Sequence, residues 1–287
     1  MSDLFELVQR PDLDAPLLVV VLEGWIDAGL GAGTAVQTIL TDTPTEVVAT
    51  FDTDVLLDHR ARRPTLHLAD GIQTGLTWPV IELRVGADPD GRDVLFLLGA
   101  EPDHTWRAFS AAVVDLAHEL DVRMVTGLGA YPAPVPHTRP TRVVATTTRP
   151  ELARQVGSVQ GRVDVPAGVQ AAIEERASDE GLPAIGLWAQ VPHYASAMPY
   201  PAAGMALIQA LDEVAGVQFR VGALEQESVA ARSRLDELIA ESAEHQQLVA
   251  RLEEQVDENE ARVDETGGLP SGEELVAELE RFLRDQE

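Results

Sequence analysis

Apolar and polar positions along the chain follow two periods that take turns. Short runs that are apolar at most positions fall at Leu17–Leu22, Glu46–Phe51, Val80–Val85, Asp93–Leu98, Arg123–Gly127, Arg142–Thr147 and Ala184–Ala189. Runs of that length, apolar on both alternating sets of side chains, suit strands covered on both faces. Between them, Thr34–Leu40, Thr105–Asp121, Ala167–Gly181 and Tyr200–Gly216 repeat with the period of a helix. Strands separated by helices predict an α/β fold with the sheet sandwiched between helices.

The pattern changes after Gly222, which divides the chain into an α/β domain, residues 1–222, and a C-terminal helical appendage, residues 223–287. Leu224, Ser228, Ala231, Leu235, Leu238, Ser242, His245, Val249, Leu252, Val256, Asn259 and Val263 step by four and three, a heptad seam with polar interruptions. That spacing predicts one long helix. "TGGLP" at Thr266–Pro270 ends it, and Ser271 with Glu274 forms a capping box for a short second helix bearing Leu275, Leu279, Phe282 and Leu283. The expected arrangement is a helical hairpin with its seam buried under the short helix and its acid outward.

Charge narrows the partners. The chain carries 48 acidic and 21 basic residues, a formal net charge of −27, which repels nucleic acid and anionic membrane surfaces. Every basic residue is Arg. Without Lys there is no Schiff-base chemistry and no phosphate-loop lysine, and without Cys there is no disulfide, thiolate nucleophile or Cys-bound zinc. No apolar run approaches the roughly 18 residues of a membrane span, and the N-terminus has no signal-like apolar region, so a cytoplasmic protein is expected.

The glycine-dense stretch "LEGWIDAGLGAGT", residues 22–34, follows a strand and precedes a helix, the position of a dinucleotide-binding turn. Its spacing fails that fingerprint: counting from Gly29 puts Thr34, and counting from Gly31 puts Val36, where Gly or Ala should close helix on strand. The structural alternative is a helix starting close beneath the sheet edge, with Trp25 and Asp27 held at the strand's carboxyl end. Two proline-rich loops, "GLGAYPAPVPHTRPT" (Gly127–Thr141) and "GLWAQVPHYASAMPYP" (Gly186–Pro201), are stiffened by fixed φ angles and bring His137, Arg139, His193 and Tyr194 towards the same edge. "GAEPDHTW" adds Glu101, Asp103 and His104. These side chains are the candidate ligand edge. Acid–base hydrolysis by His137 or His193 with Asp103 or Asp27 is one reading, and hydrogen bonding to loop backbone that has no ladder partner is the other. No helical H-E-x-x-H spacing or G-x-S-x-G elbow is present, so neither a metal, a cofactor nor a serine nucleophile is expected.

Taken in order, "EGWIDAG", "LLGAEPDHTWRAF", "GLGAYPAPVPHTRPT", "VPAGV", "GLWAQVPHYASAMPYPAA" and "LPSGEELVAELERFLR" resemble the proteasome assembly chaperone 2 family in its actinobacterial form, from about Leu17 to Arg284. The resemblance implies a sandwich of nucleoside-phosphorylase-like topology, usually a homo-oligomer, that binds protein rather than catalyses a reaction. Its partners would be itself and subunits of the proteasome or another ring complex. The chain ends Arg-Asp-Gln-Glu, without the hydrophobic-Tyr-any tail that often docks on proteasome rings. A small-molecule hydrolase or ligand-binding enzyme built on His137, His193 and Asp103 is the alternative. The two separate on the crevice: a deep pocket where those groups converge favours an enzyme, and loops filling the edge favour a scaffold.

Overall fold

The computed structural model describes residues 4–159 and 161–266. Its first half runs β1 (Phe5–Leu7), β2 (Leu17–Glu23), α1 (Gly31–Asp42), β3 (Glu46–Phe51), α2 (Thr53–Leu56), β4 (Thr65–Ala69), β5 (Ile72–Thr77), β6 (Ile81–Ala87), β7 (Asp93–Ala100) and α3 (Trp106–Glu119). The second half runs β8 (Met124–Ala133), β9 (Val143–Thr146), α4 (Pro150–Val156), α5 (Val169–Asp179), β10 (Ala184–Pro192), α6 (Pro201–Ala215), α7 (Leu224–Ala240) and α8 (Ala243–Thr266). Eight strands form one sheet in the order β1-β3-β6-β7-β2-β8-β10-β9, while β4 and β5 form a separate hairpin. The central strands β7, β2, β8 and β10 are parallel, flanked by antiparallel β6 and β9.

The alternation in β2 explains the layers. Leu17, Val19 and Val21 enter one core with α1, α4, α6 and Leu224 and Leu235 of α7. Leu18 and Val20 enter the other, with Phe109 and Val113 of α3 and Ile173 and Ala177 of α5. A strand buried on both faces must be apolar along its buried length, and β2 is from Leu17 to Val21, so the sheet is sandwiched between helices as the sequence predicts.

The four parallel strands end together, and there β2 and β8 part. They pair only from Leu17 to Val20 against Met124 to Gly127. Beyond that point the β2–α1 loop re-enters, with Asp27 bridging to Ala130. The crevice that open α/β sheets use for ligands is thus occupied by the chain itself.

The heptad segment differs from the single helix its spacing predicts. It breaks between α7 and α8 at Glu241–Ser242, where Ser242 accepts the N–H of Gln246 at its carbonyl and the N–H of His245 at its Oγ. Serine competes for backbone hydrogen bonds and favours a cap over a helix interior. The predicted short helix from Ser271 lies outside the described residues. Part of the seam packs on the α/β body, Leu224 and Leu235 lying in the same cluster as Leu17 and Val19. No helix among the described residues is long and apolar enough to cross a membrane.

Candidate functional site

The glycine-rich stretch is spent on closing the crevice. Asp27 accepts the N–H of Ala32 at Oδ1 (2.8 Å) and of Gly33 at Oδ2 (3.0 Å), so its carboxylate caps the start of α1. Gly29 has φ 61°, and a Cβ there would lie 2.6 Å from Cβ of Tyr200. At Gly31 a Cβ would lie 2.8 Å from Ala130 and 2.9 Å from Ala203, so glycine is what lets α1 seat against β8 and α6. Asp27→Ala should cost about 1 kcal/mol, the usual worth of such a cap, seen as a lower denaturant midpoint at unchanged m value. An unchanged midpoint would mean that the carboxylate contributes nothing to the turn.

The other acids of the edge are held in the same way. Glu101 is buried and accepts the N–H of Val169 at 2.7 Å, capping α5. Trp25 is 46% exposed and lies over Gly168, at the start of that helix. Asp103 accepts the N–H of Asp58 at 2.9 Å and Nε–H of Arg62 at 3.2 Å. His104 donates its backbone N–H to the carbonyl of Leu56.

The histidine loops form a second cluster. His137 is buried, with Nε2 3.0 Å from Oδ1 of Asp236 in α7 and Nδ1 2.7 Å from the hydroxyl of Tyr194. A carboxylate only accepts, so Nε2 carries the hydrogen and Nδ1 takes the one from Tyr194. The same hydroxyl oxygen accepts the backbone N–H of His137 at 2.9 Å. Burial pushes the Tyr194 phenol up to about 12, so it stays a neutral donor. The ring of His193 meets that of Tyr194 edge-on at 5.4 Å. Arg139 makes a two-pronged pair with Asp257 of α8, at 2.8 and 2.7 Å, and reaches Glu253 at 3.2 Å. Hydrogen bonding to Asp257 holds the guanidinium above its ordinary range, and the pairing holds Asp257 below its own.

The candidate residues therefore fall into two groups. His137 and His193 each meet Tyr194, but the hydrogen-bond partners of His137 are Tyr194 and Asp236 rather than Asp103 or Asp27. The polar side chains that complete this cluster, Asp236, Glu253 and Asp257, belong to the helices expected to point their acid into solvent. A sequence signal existed, because a histidine on a proline-rich loop must find its partner elsewhere in the chain. Beneath the loop remains a cavity of about 30 Å³ beside Arg139, Tyr200 and Val256, room for about one water. A larger open recess, about 350 Å³, lies beside Asp42, Asp88 and Arg220. The Asp88 carboxylate there is occupied by N–H groups of Asp90, Arg92 and Gln218 and by the Arg92 guanidinium. Among the described residues no group of three or more His, Asp or Glu is placed to hold a metal ion.

A family model described as the PAC2 family matches residues 21–239, from β2 to the end of α7. The chain belongs to the PAC2 family. Solved structures similar to this PAC2 chain include a protein of unknown function from Corynebacterium glutamicum, 33% identical, with a TM-score of 0.85 over 91% of this chain and 99% of that one. A PAC2 family protein from Streptomyces avermitilis is 35% identical, with a TM-score of 0.73 over 82% and 99%. A proteasome-assembly chaperone homologue from Mycobacterium tuberculosis is 32% identical, with a TM-score of 0.75 over 81% and 99%. Among curated proteins none matches.

Proposed function

We propose that this PAC2 chain is a non-enzymatic, chaperone-like protein that acts in the cytoplasm as a homo-oligomer and binds subunits of the proteasome or of a similar ring complex. The observation that carries this reading is how the sheet's carboxyl edge is used. His137, Asp27, Glu101 and Asp103 are engaged in internal hydrogen bonds, and the residual cavity beside Arg139 has no room for a metabolite. The same edge exposes Trp25, Ile26, Leu30 and Met198, apolar side chains of the kind that protein partners cover. Likeness to the mycobacterial assembly-chaperone homologue supports the choice of partner.

The test mixes the purified chain with purified actinobacterial proteasome α-subunits and follows co-elution and ring formation. Binding that raises the yield of rings is expected, and Trp25→Ala together with Leu30→Ala should weaken it roughly tenfold, as loss of a central aromatic anchor does. Absence of binding to any ring subunit, combined with turnover of a metabolite that His137→Ala abolishes, would overturn the reading.

A further inference from the structure

The open recess of about 350 Å³ is walled by the last turn of α1, the β6–β7 turn and the segment that follows α6. Helix α1 leaves β2 at the carboxyl edge and ends at the amino edge, so this recess lies across the sheet from the candidate site. Its walls are held in place. The buried Asp88 carboxylate accepts N–H groups of Asp90 and Arg92 on the turn and of Gln218 after α6, which pins the two walls together. Phe219 is half-buried, its ring 6.2 Å from that of Phe96 in the core. With Ile39 and Pro44 it gives the recess an apolar lining.

The remaining polar groups of that lining are unengaged. Asp42 and Arg220 are exposed, and neither side chain has a hydrogen-bond or ion-pair partner among the described residues. Thr43 is only 6% exposed, and its hydroxyl also lacks a hydrogen-bond partner among them. A nearly buried hydroxyl in that condition costs free energy until something meets it. The end of α1 adds to this, because no basic residue stands in its last turn and Pro44 has no N–H for the Leu40 carbonyl to accept. That negative helix end, beside the Asp42 carboxylate, favours a cation. Arg220 comes from the opposite wall, and its planar fork favours a carboxylate. A ligand that answers both walls carries an ammonium and a carboxylate on one small apolar body. The volume suits a single such molecule, and Asp42 repels the phosphates of a nucleotide.

We propose that this recess binds a free apolar α-amino acid, with Asp42, Thr43 and the end of α1 receiving its ammonium, Arg220 its carboxylate, and Phe219 and Ile39 its side chain. The site is separate from the edge assigned to ring subunits and does not rest on that assignment.

Calorimetric titration of the full chain with L-phenylalanine and L-leucine tests the site. Saturable binding of one molecule per chain is expected, and two analogues of phenylalanine dissect it. Phenethylamine lacks the carboxylate and 3-phenylpropionate lacks the ammonium, so each should bind at least about tenfold more weakly than L-phenylalanine. Arg220→Gln should weaken the amino acid roughly tenfold and leave phenethylamine unchanged, while Asp42→Asn should weaken it comparably and leave 3-phenylpropionate unchanged. Both side chains are exposed, so melting temperatures should match wild type. The analogue comparison uses the unaltered chain and carries the test should a variant fail to fold. No heat from either amino acid at millimolar concentration, analogues that bind as well as phenylalanine, or affinity that survives both substitutions would overturn the proposal.

Discussion

Glu174→Gln is expected to stabilise the protein above neutral pH and leave it unchanged in acid. Glu174 lies on α5 against the sheet, where it accepts Thr146 Oγ1–H and Gln170 Nε2–H, each at 3.1 Å, and Trp188 donates to the same Thr146 hydroxyl at 3.0 Å. Space for the carboxyl exists because position 186 is glycine, whose Cβ would lie 2.5 Å from Oε1. Burial pushes this carboxyl up to about 7 from an ordinary 4.5, against the opposing pull of the Gln170 and Thr146 hydrogen bonds. The folded state therefore keeps a proton that the unfolded chain gives up at lower pH. Stability from this group is complete below about pH 4.5 and is lost as pH rises through about 7, a difference of about 3 kcal/mol once titration is complete. Glutamine keeps the shape without the charge, so at pH 8.5 the variant should melt roughly 5–10 °C above wild type, and the two should converge near pH 4.5. Melting curves that stay a constant distance apart across that range would show that Glu174 does not titrate inside the fold.

His137→Ala should produce the largest loss among the edge residues, about 2–3 kcal/mol, because it strands the buried Tyr194 hydroxyl and removes the link to Asp236 together. The effect should be localised. Hydrogen exchange in α7 should accelerate more than in β2 or β7, since the link ties that helix to the β8–β9 loop. Arg139→Ala, at an exposed pair screened by solvent, should lose far less. Uniform exchange throughout the molecule, or a melting temperature equal to wild type, would show that His137 is not a clamp.

The layers of this fold were legible because two-faced burial leaves a plain mark: β2, β7, β8 and β10 are apolar at successive positions, and α1, α3, α5 and α6 keep the helical period between them. Strand β1, with three residues and two of them only half-buried, carries no such mark. The hairpin was missed for a different reason. Its leucines face solvent in this chain, so a search for core pattern passes over them, although Asp70-Gly71, with Leu66 and Leu68 before it and Ile72 and Leu76 after it, is a strong local signal for a tight two-residue turn. At the candidate site, residue types and edge were readable and pairing was not. His137 and Asp103 reach the same edge, yet each is satisfied by a group that only three-dimensional packing supplies. The heptad spacing likewise predicted apolar positions correctly at Leu235, Val249 and Leu252, all buried, without revealing the break at Ser242.

The clamp between the β8–β9 loop and the last helices also sets an order of events during synthesis. His137 is 99 residues from Asp236, and Arg139 is 118 residues from Asp257. At ~5–20 residues per second, a ribosome needs roughly 5–25 s after making the loop to deliver those acids. Through that interval the nascent chain holds a proline-stiffened loop whose histidine has no carboxylate to meet. Leu17 and Val19 likewise wait for the Leu224 and Leu235 that complete their layer. A protein read as an assembly chaperone thus passes through a stage in which its own unfinished face is open to capture, and a paused ribosome within α6 would lengthen it.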